Sequence, residues 1–375
     1  NWTIVRIGHT TTGEEPAAHP DAGKGLEIDK FRKEAVDFHY EKFLSKVIQK
    51  LDGFVGNTFN GFTTDSWEAG KQNWSVTVPT QFKESRGYEI GGWLLAMTGR
   101  IIDSIDHTER FLWDMRKTQA ELLSNNYYGH YQELCHQHGL QYHAEPYGDG
   151  NLDSLQAGQY LDVPMSEFWT RYIYGSDMTS KQSTSIAHVY GKKVAAAESF
   201  TGMPLTSKWT DYPYSLKAEG DYFFSLGVNR LVFHVFVHQP YTTGFPGMTM
   251  GPFGTHFDRN NTWTEQAYGW TNYLRRSQYL LQQGLTVADV CYFKGDEAVS
   301  GVPDTYNLLP KGYVGDVVGT DALFSRFTIQ NGEIVLPDGM QYKVCIMANL
   351  EAVFPETLKR LQELVVQGMV LIVEN

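Results

Sequence analysis

Hydrophobic and polar positions along the chain repeat one theme. An amphipathic stretch with apolar residues three or four apart is followed by a short apolar run that ends in polar residues. Residues 3–9 (TIVRIGH) predict a strand, and 26–51 predict an amphipathic helix after it. A second strand lies within 54–68 and runs into Asp65 and Glu68. The helical pattern of 107–139 leads to a strand at 140–148, and 161–169 predict another that ends at Glu167. A helix at 183–193 feeds the strand 194–200 (VAAAESF), and 214–228 lead to 230–240. The last repeat is a helix over 262–284 and a strand over 286–293.

Alternating helices and apolar strands imply a parallel sheet covered by helices. Seven such strands before residue 300 predict an α/β fold of the (β/α)8 TIM-barrel type, spanning 1–300. An open doubly wound sheet is the runner-up, but it would favour a glycine-rich phosphate turn after the first strand. The segment DAGKGLEI lacks the third glycine of that turn, and neither a Walker A loop nor a GxSxG elbow occurs. Beyond 300 the texture changes. Residues 332–347 predict a hairpin turning at Asp338–Gly339. A helix at 355–368, with Pro at its start and Gly at its end, then precedes a strand at 369–373. Residues 301–375 are read as the start of a second α/β domain. The chain begins inside an apolar stretch without an initiator Met and closes on a strand, so it is read as an excerpt of a larger multidomain protein.

Composition narrows the function. Nine Trp, 22 Tyr and 21 Phe among 375 residues suit both core packing and pockets that grip flat ligand faces. The net charge of −12 argues against nucleic acid or an anionic membrane surface as partner. No apolar run is long enough to span a bilayer. Three cysteines, Cys135, Cys291 and Cys345, with no CxxC spacing, imply neither a disulfide framework nor a structural zinc.

The candidate chemistry lies in carboxylates. Four expected strands end at a glutamate: Glu68, Glu145, Glu167 and Glu198. In a barrel those ends form the mouth where catalysis occurs. Paired carboxylates there suit glycoside hydrolysis. Strands ~4.8 Å apart give an eight-stranded barrel a radius of ~7 Å, so ends three strands apart lie roughly 13 Å apart at Cα. Glu68 and Glu198 could then bring carboxyls to ~6–10 Å, overlapping the inverting separation, while Glu167 and Glu198 on neighbouring strands could approach the retaining one. Asp65 falls at the same rim. His234 and His238 resemble a metal pair, but four residues along an extended strand is ~13 Å, so polyol binding or core satisfaction is favoured. The histidines of CHQHGLQYH read as surface groups at a helix end. Trp67, Trp169, Trp209 and Trp263 flank the expected mouth, where some can stack on ligand.

The segments RIGHTTTG, GLEIDKF, TTDSWEAG, ERFLWDMRKT, HAEPYGDG and DVPMSEFW, then AHVYGKKVAAAESFTG, GVNRLVFHVFVHQP, PGMTMGPFGTHFDRNNTW and SQYLLQQGLTVADVCYFKG, resemble the glycoside hydrolase family 106 α-L-rhamnosidases. The likeness runs in order from Arg6 to beyond residue 300. It implies a secreted or periplasmic, inverting exo-hydrolase that removes terminal α-L-rhamnose from plant or microbial polysaccharides, with a barrel inside a larger protein and a dependence on Ca2+. Carried over, the glutamates of DSWE and AAESFT are Glu68 and Glu198, the expected catalytic pair. Glu167 and Glu145 are expected to shape the pocket, one of them sharing in catalysis or holding the calcium, and Glu167 is counted with the catalytic residues. Asp65, Trp67, Glu145, Trp169, His234 and His238 are expected to bind substrate. Which glutamate is acid and which is base stays open, and the metal ligands are unassigned. Two rival readings are a barrel glycosidase of other sugar specificity and a non-catalytic carbohydrate-binding relative.

Overall fold

Local sequence sets the helix ends in this computed structural model, which describes residues 4–16, 19–171, 176–203, 207, 209–298, 309–310, 312–348, 350 and 352–374. The Ser104 side chain accepts from the His107 N–H and starts the longest helix, Ile105–Leu122, with Asp106 in its first turn. Asp153 caps Ser154–Gly158 in the same way, accepting from the Gln156 N–H. Pro355 opens Pro355–Val366, where its missing N–H costs nothing.

The chain divides into two compact units. The first comprises residues up to Leu161 with a short return at Asp296–Ser300, and the second runs from Asp162 to Gly295 and continues from Gly301. Within the first unit, strands β1 (Gly61–Thr64) and β2 (Gln141–Ala144) pair in parallel, Gly61 opposite Gln141 and Thr64 opposite Ala144. Helices Val78–Arg86, Ile105–Leu122 and His130–His136 belong to the same unit. They share a core in which Phe31, Phe82, Phe111, Leu123, Tyr128 and Tyr142 are fully buried. Each such side chain contributes roughly 1.5–3 kcal/mol on leaving water.

The second unit contains three parallel strands, β3 (Val163–Trp169), β4 (Ala196–Thr201) and β5 (Arg230–Phe233), paired in that order. A second parallel sheet has the order β12 (Leu371–Glu374), β11 (Val344–Ala348), β6 (Val290–Phe293), β7 (Gly315–Val318). A small antiparallel sheet of β8 (Thr328–Gln330), β9 (Glu333–Val335) and β10 (Gln341–Tyr342) completes it. Helix Ser176–Val189 contacts both β3 and β7. Its buried face is small and polar, with Ser180, Ser183, Thr184 and Ser185, and their hydroxyls have partners. Ser183 donates to the Ser180 carbonyl, and the Ser185 hydroxyl accepts from the Val317 N–H at 3.0 Å. Small residues let the backbones approach closely, and these bonds offset the cost of burying hydroxyls.

Several expectations from the sequence are met and some are corrected. The helix–strand alternation is α/β as expected. The hairpin turn at Asp338–Gly339 forms, with Gly339 donating to the Leu336 carbonyl between antiparallel β9 and β10. The first expected strand does not form: among its described residues Ile4, Val5 and Ile7 are exposed and lie in irregular backbone. Apolar alternation is only half of a strand; it also needs a hydrogen-bonding neighbour. The helix expected from residue 26 starts at Lys33 and passes through a π-helical turn at Tyr40–Leu44 before resuming at Ser45. The strand expected to run through 240 stops at Phe233.

One pH effect follows from packing beyond β5. His256 is buried and its ring stacks on Trp209 at 3.7 Å and 18°. Burial lowers its pKa below 6.5, with Asp258 pulling the other way. A base whose folded pKa is depressed is protonated first in the unfolded state, so stability falls as pH drops below about 6.5. Equilibrium unfolding of His256→Gln between pH 7.5 and 5 is expected to show a shallower loss than the parent chain. Equal slopes would remove His256 as the cause.

Candidate active site

In the first unit the turn after β1 carries Asp65, Ser66, Trp67 and Glu68. Backbone bonds hold it against the turn after β2: Trp67 N–H donates to the Tyr147 carbonyl at 2.9 Å, and Asp149 N–H donates to the Trp67 carbonyl at 2.6 Å. Gly148 makes this possible. Its φ is +119°, and a Cβ there would lie 2.1 Å from the Trp67 carbonyl oxygen. Gly150 would collide with the Trp67 indole at 2.5 Å. The two glycines of HAEPYGDG therefore make room for the tryptophan of DSWE.

The side chains follow. Ser66 donates to Glu68 Oε1 at 2.9 Å, and its own N–H donates to Asp65 Oδ1 at 2.9 Å. Asp65 and Glu68 are exposed, whereas Glu145 is fully buried and accepts from the Tyr147 hydroxyl at 2.7 Å. Carboxylate oxygens of Asp65 and Glu145 lie within 4.8 Å of each other. Two oxygen donors at that separation suit a hard cation such as calcium. A cavity of about 270 Å3 opens here, lined by Asp65, Glu68, Trp67, Glu27 and Lys30.

In the second unit Glu167 and Glu198 are direct register partners on β3 and β4, in a row that continues to Val232 on β5. Paired residues of neighbouring strands share one face, so both carboxylates, half-buried, point the same way. Neither ends its strand. β4 continues through Ser199 to Thr201, and β3 runs two residues past Glu167. The reason lies in the pairing: the register shifts after Phe168, and Phe200 bulges with a positive φ of 63° while its ring is buried. That irregularity lets pairing resume at Thr201, whose hydroxyl donates to Glu198 Oε1 at 2.5 Å.

The extended-strand spacing expected for the two histidines does not apply, because β5 ends before them. His234 lies half-buried with Nδ1 3.8 Å from Glu198 Oε1, and His238 is exposed on the loop beyond. Trp169 meets Phe253 edge-to-face at 6.0 Å. Trp263 is anchored by its Nε1 donating to the Asp211 carbonyl at 3.0 Å. Trp67 is 6 % exposed, so its indole is a wall more than a platform. The sequence reading brought out these carboxylates but passed over Glu27 and Lys30. Their signal was the segment GLEIDKF, which places a cation among apolar residues.

Comparison with known proteins adds the following. The family profile described as alpha-L-rhamnosidase, glycoside hydrolase 106, matches residues 1–375. A protein of Formosa agariphila bearing the provisional name beta-glucuronidase is 39% identical over 371 residues, covering 98% of this chain and 31% of that protein. The solved structure of a rhamnosidase from Novosphingobium sp. PP1Y superposes with a TM-score of 0.87 at 31% identity, over 96% of this chain and 36% of the other. The chain thus spans about a third of the length of these relatives.

Proposed function

This chain belongs to glycoside hydrolase family 106, the α-L-rhamnosidases, and from that premise we propose that it carries the catalytic part of an inverting exo-acting α-L-rhamnosidase. The observation that carries the reading is the family match over the whole chain, joined to carboxylates that follow or sit within parallel strands in both units. Glu68 and Glu198 divide the roles of general acid and general base. The acid protonates the glycosidic oxygen as its bond to the anomeric carbon breaks. The base takes a proton from a water that attacks the opposite face, so the α-rhamnoside leaves as β-rhamnose. Glu167, beside Glu198 in the same row, tunes its neighbour's charge or contacts the sugar. Parallel strands β1 to β5 belong to a (β/α)8 barrel in the full-length protein, which works outside the cytoplasm on rhamnose-bearing polysaccharide.

Calcium fits the donor set of Asp65 and Glu145, both hard oxygen ligands. Bound there, it would orient sugar hydroxyls and screen the crowded negative charge. The protein's own residues carry the proton transfers.

The test is release of nitrophenol from p-nitrophenyl α-L-rhamnoside by the full-length protein, with proton NMR of the first-formed sugar. β-Rhamnose is expected; α-rhamnose would overturn the inverting mechanism. EDTA is expected to lower turnover, with recovery on adding Ca2+ and not Mg2+, which demands tighter octahedral geometry. Turnover indifferent to EDTA would sink the calcium proposal. The name of the Formosa relative makes p-nitrophenyl β-D-glucuronide the necessary second substrate. Faster release from the glucuronide would replace the rhamnosidase reading.

A further inference from the structure

Next to the 270 Å3 cavity, still within the first unit, lies a second cavity of about 410 Å3. Glu27, Lys30, Trp67 and Ala69 line both, so they form a common wall. Lys30 is 3 % exposed and Trp67 6 %. Among the described residues Trp67 Nε1 has no hydrogen-bond partner, while Lys30 Nζ is met by Glu27. A buried donor left unmet costs about 1–3 kcal/mol, and here the Trp67 N–H, beside the ammonium's remaining donors, flanks polar space large enough for a small molecule. The ammonium lies 4.9 Å from the Trp67 ring centre and 3.2 Å from Glu27 Oε1.

Charge indicates what belongs there. Glu27 already balances Lys30, and Arg32 lies 3.5 Å from Glu34. Asp29 is saturated, accepting from Gln72 Nε2, the Ser75 hydroxyl and the Phe31 N–H. The wall therefore offers unspent donors and an acceptor without net positive charge. Hydroxyls can satisfy both, since each donates and accepts. A carboxylate would face Glu27. On the far side, Trp74 is half-buried with His9 tilted against it at 6.2 Å, giving an aromatic surface for a ring's apolar face.

We propose that this second cavity is a subsite for the neutral pyranose to which the rhamnosyl group is joined, with Trp74 against its ring and Lys30 and Trp67 donating to its oxygens. The common wall then sits between adjacent sugars of one glycan. The inference rests on the rhamnosidase reading, and its test separates the two.

The full-length protein and its Trp74→Ala and Lys30→Met variants are assayed on p-nitrophenyl α-L-rhamnoside and on α-L-rhamnosyl-(1→2)-, (1→3)- and (1→4)-glucose. In Trp74→Ala, KM for the best disaccharide is expected to rise at least tenfold more than KM for the aryl rhamnoside. Lys30→Met shifts the same ratio in the same direction; its melting temperature checks that it is folded. Equal changes on both substrates in Trp74→Ala overturn the subsite while leaving the rhamnosidase reading intact. If the parent protein releases no rhamnose, that reading fails, and tryptophan-fluorescence titration with the same disaccharides decides the subsite. Binding that weakens tenfold in Trp74→Ala supports it. Absent or unchanged binding overturns it.

Discussion

Glu198→Gln is expected to lower kcat on an aryl α-L-rhamnoside by roughly 10²–10⁴-fold, the usual contribution of a positioned acid or base. The substitution conserves size, and an amide oxygen can still accept from the Thr201 hydroxyl that holds Glu198 Oε1. The melting temperature should therefore stay close to that of the parent. Glu68→Gln is expected to cost as much. It removes the charge from an exposed side chain whose contact is the Ser66 hydroxyl, so its folding consequence is smaller still. The two variants also assign the roles. Loss of the general acid is partly masked by a leaving group that departs without protonation, so that variant is less impaired on dinitrophenyl than on alkyl rhamnosides. Loss of the base is insensitive to the leaving group and is rescued by azide, which attacks without surrendering a proton. Near-normal turnover in either variant would remove that glutamate from the pair and bring Glu167, its neighbour in the row with Glu198, into its place.

Asp316→Ala is expected to destabilise the second unit by about 3–5 kcal/mol, the cost of breaking a buried charge network from one side. Asp316 on β7 is 2 % exposed. It accepts from His188 Nδ1 at 2.9 Å, from the Tyr342 hydroxyl at 2.9 Å and from the Ser185 hydroxyl at 3.4 Å. The network thus ties helix Ser176–Val189 to strands β7 and β10. Burial lowers the pKa of Lys181 on the same helix, and Asp316 works against that shift. Truncation would leave buried donors without an acceptor, each with its own desolvation cost. Asp316→Asn keeps the shape and an acceptor oxygen, so a smaller loss is expected. Urea unfolding followed by circular dichroism measures both. A loss under about 1 kcal/mol for Asp316→Ala would mean that water replaces the carboxylate.

Much of the fold was legible because its signals are local. The expected strands at 140–148, 161–169, 194–200 and 286–293 all contain an observed one, since a buried parallel strand is a short apolar run bounded by polar turns. The Asp338–Gly339 turn and the proline-started helix at Pro355 are equally local. Residues 3–9 failed the same test. Their apolar alternation matches a strand, but Ile4 and its neighbours pair with no strand among the described residues.

The site was half legible. A glutamate near the end of an apolar run is visible in the sequence, as Glu68, Glu145, Glu167 and Glu198 were. Whether it ends its strand was not. β4 runs past Glu198 because Phe200 bulges and Thr201 pairs with Trp169, a matter of register between segments thirty residues apart. Glu27 and Lys30 gave only the faint signal of GLEIDKF, because a charged residue in an apolar stretch reads as a solvated face until something covers it.

By itself, then, the sequence determined the helix–strand alternation, the turns, the acidic balance and the motifs that carry the family likeness. All of these are properties of residues close together in the chain. The tertiary structure alone decided what distant segments do to one another. Gly148 and Gly150 admit the Trp67 indole, and Lys30 comes to lie beneath it beside Glu27. Glu167 and Glu198 fall into one row, and Asp316 gathers three donors from helix and strand. Burial and strand register arise only when such segments meet, and it is burial that turns a common lysine or aspartate into a group that must be matched.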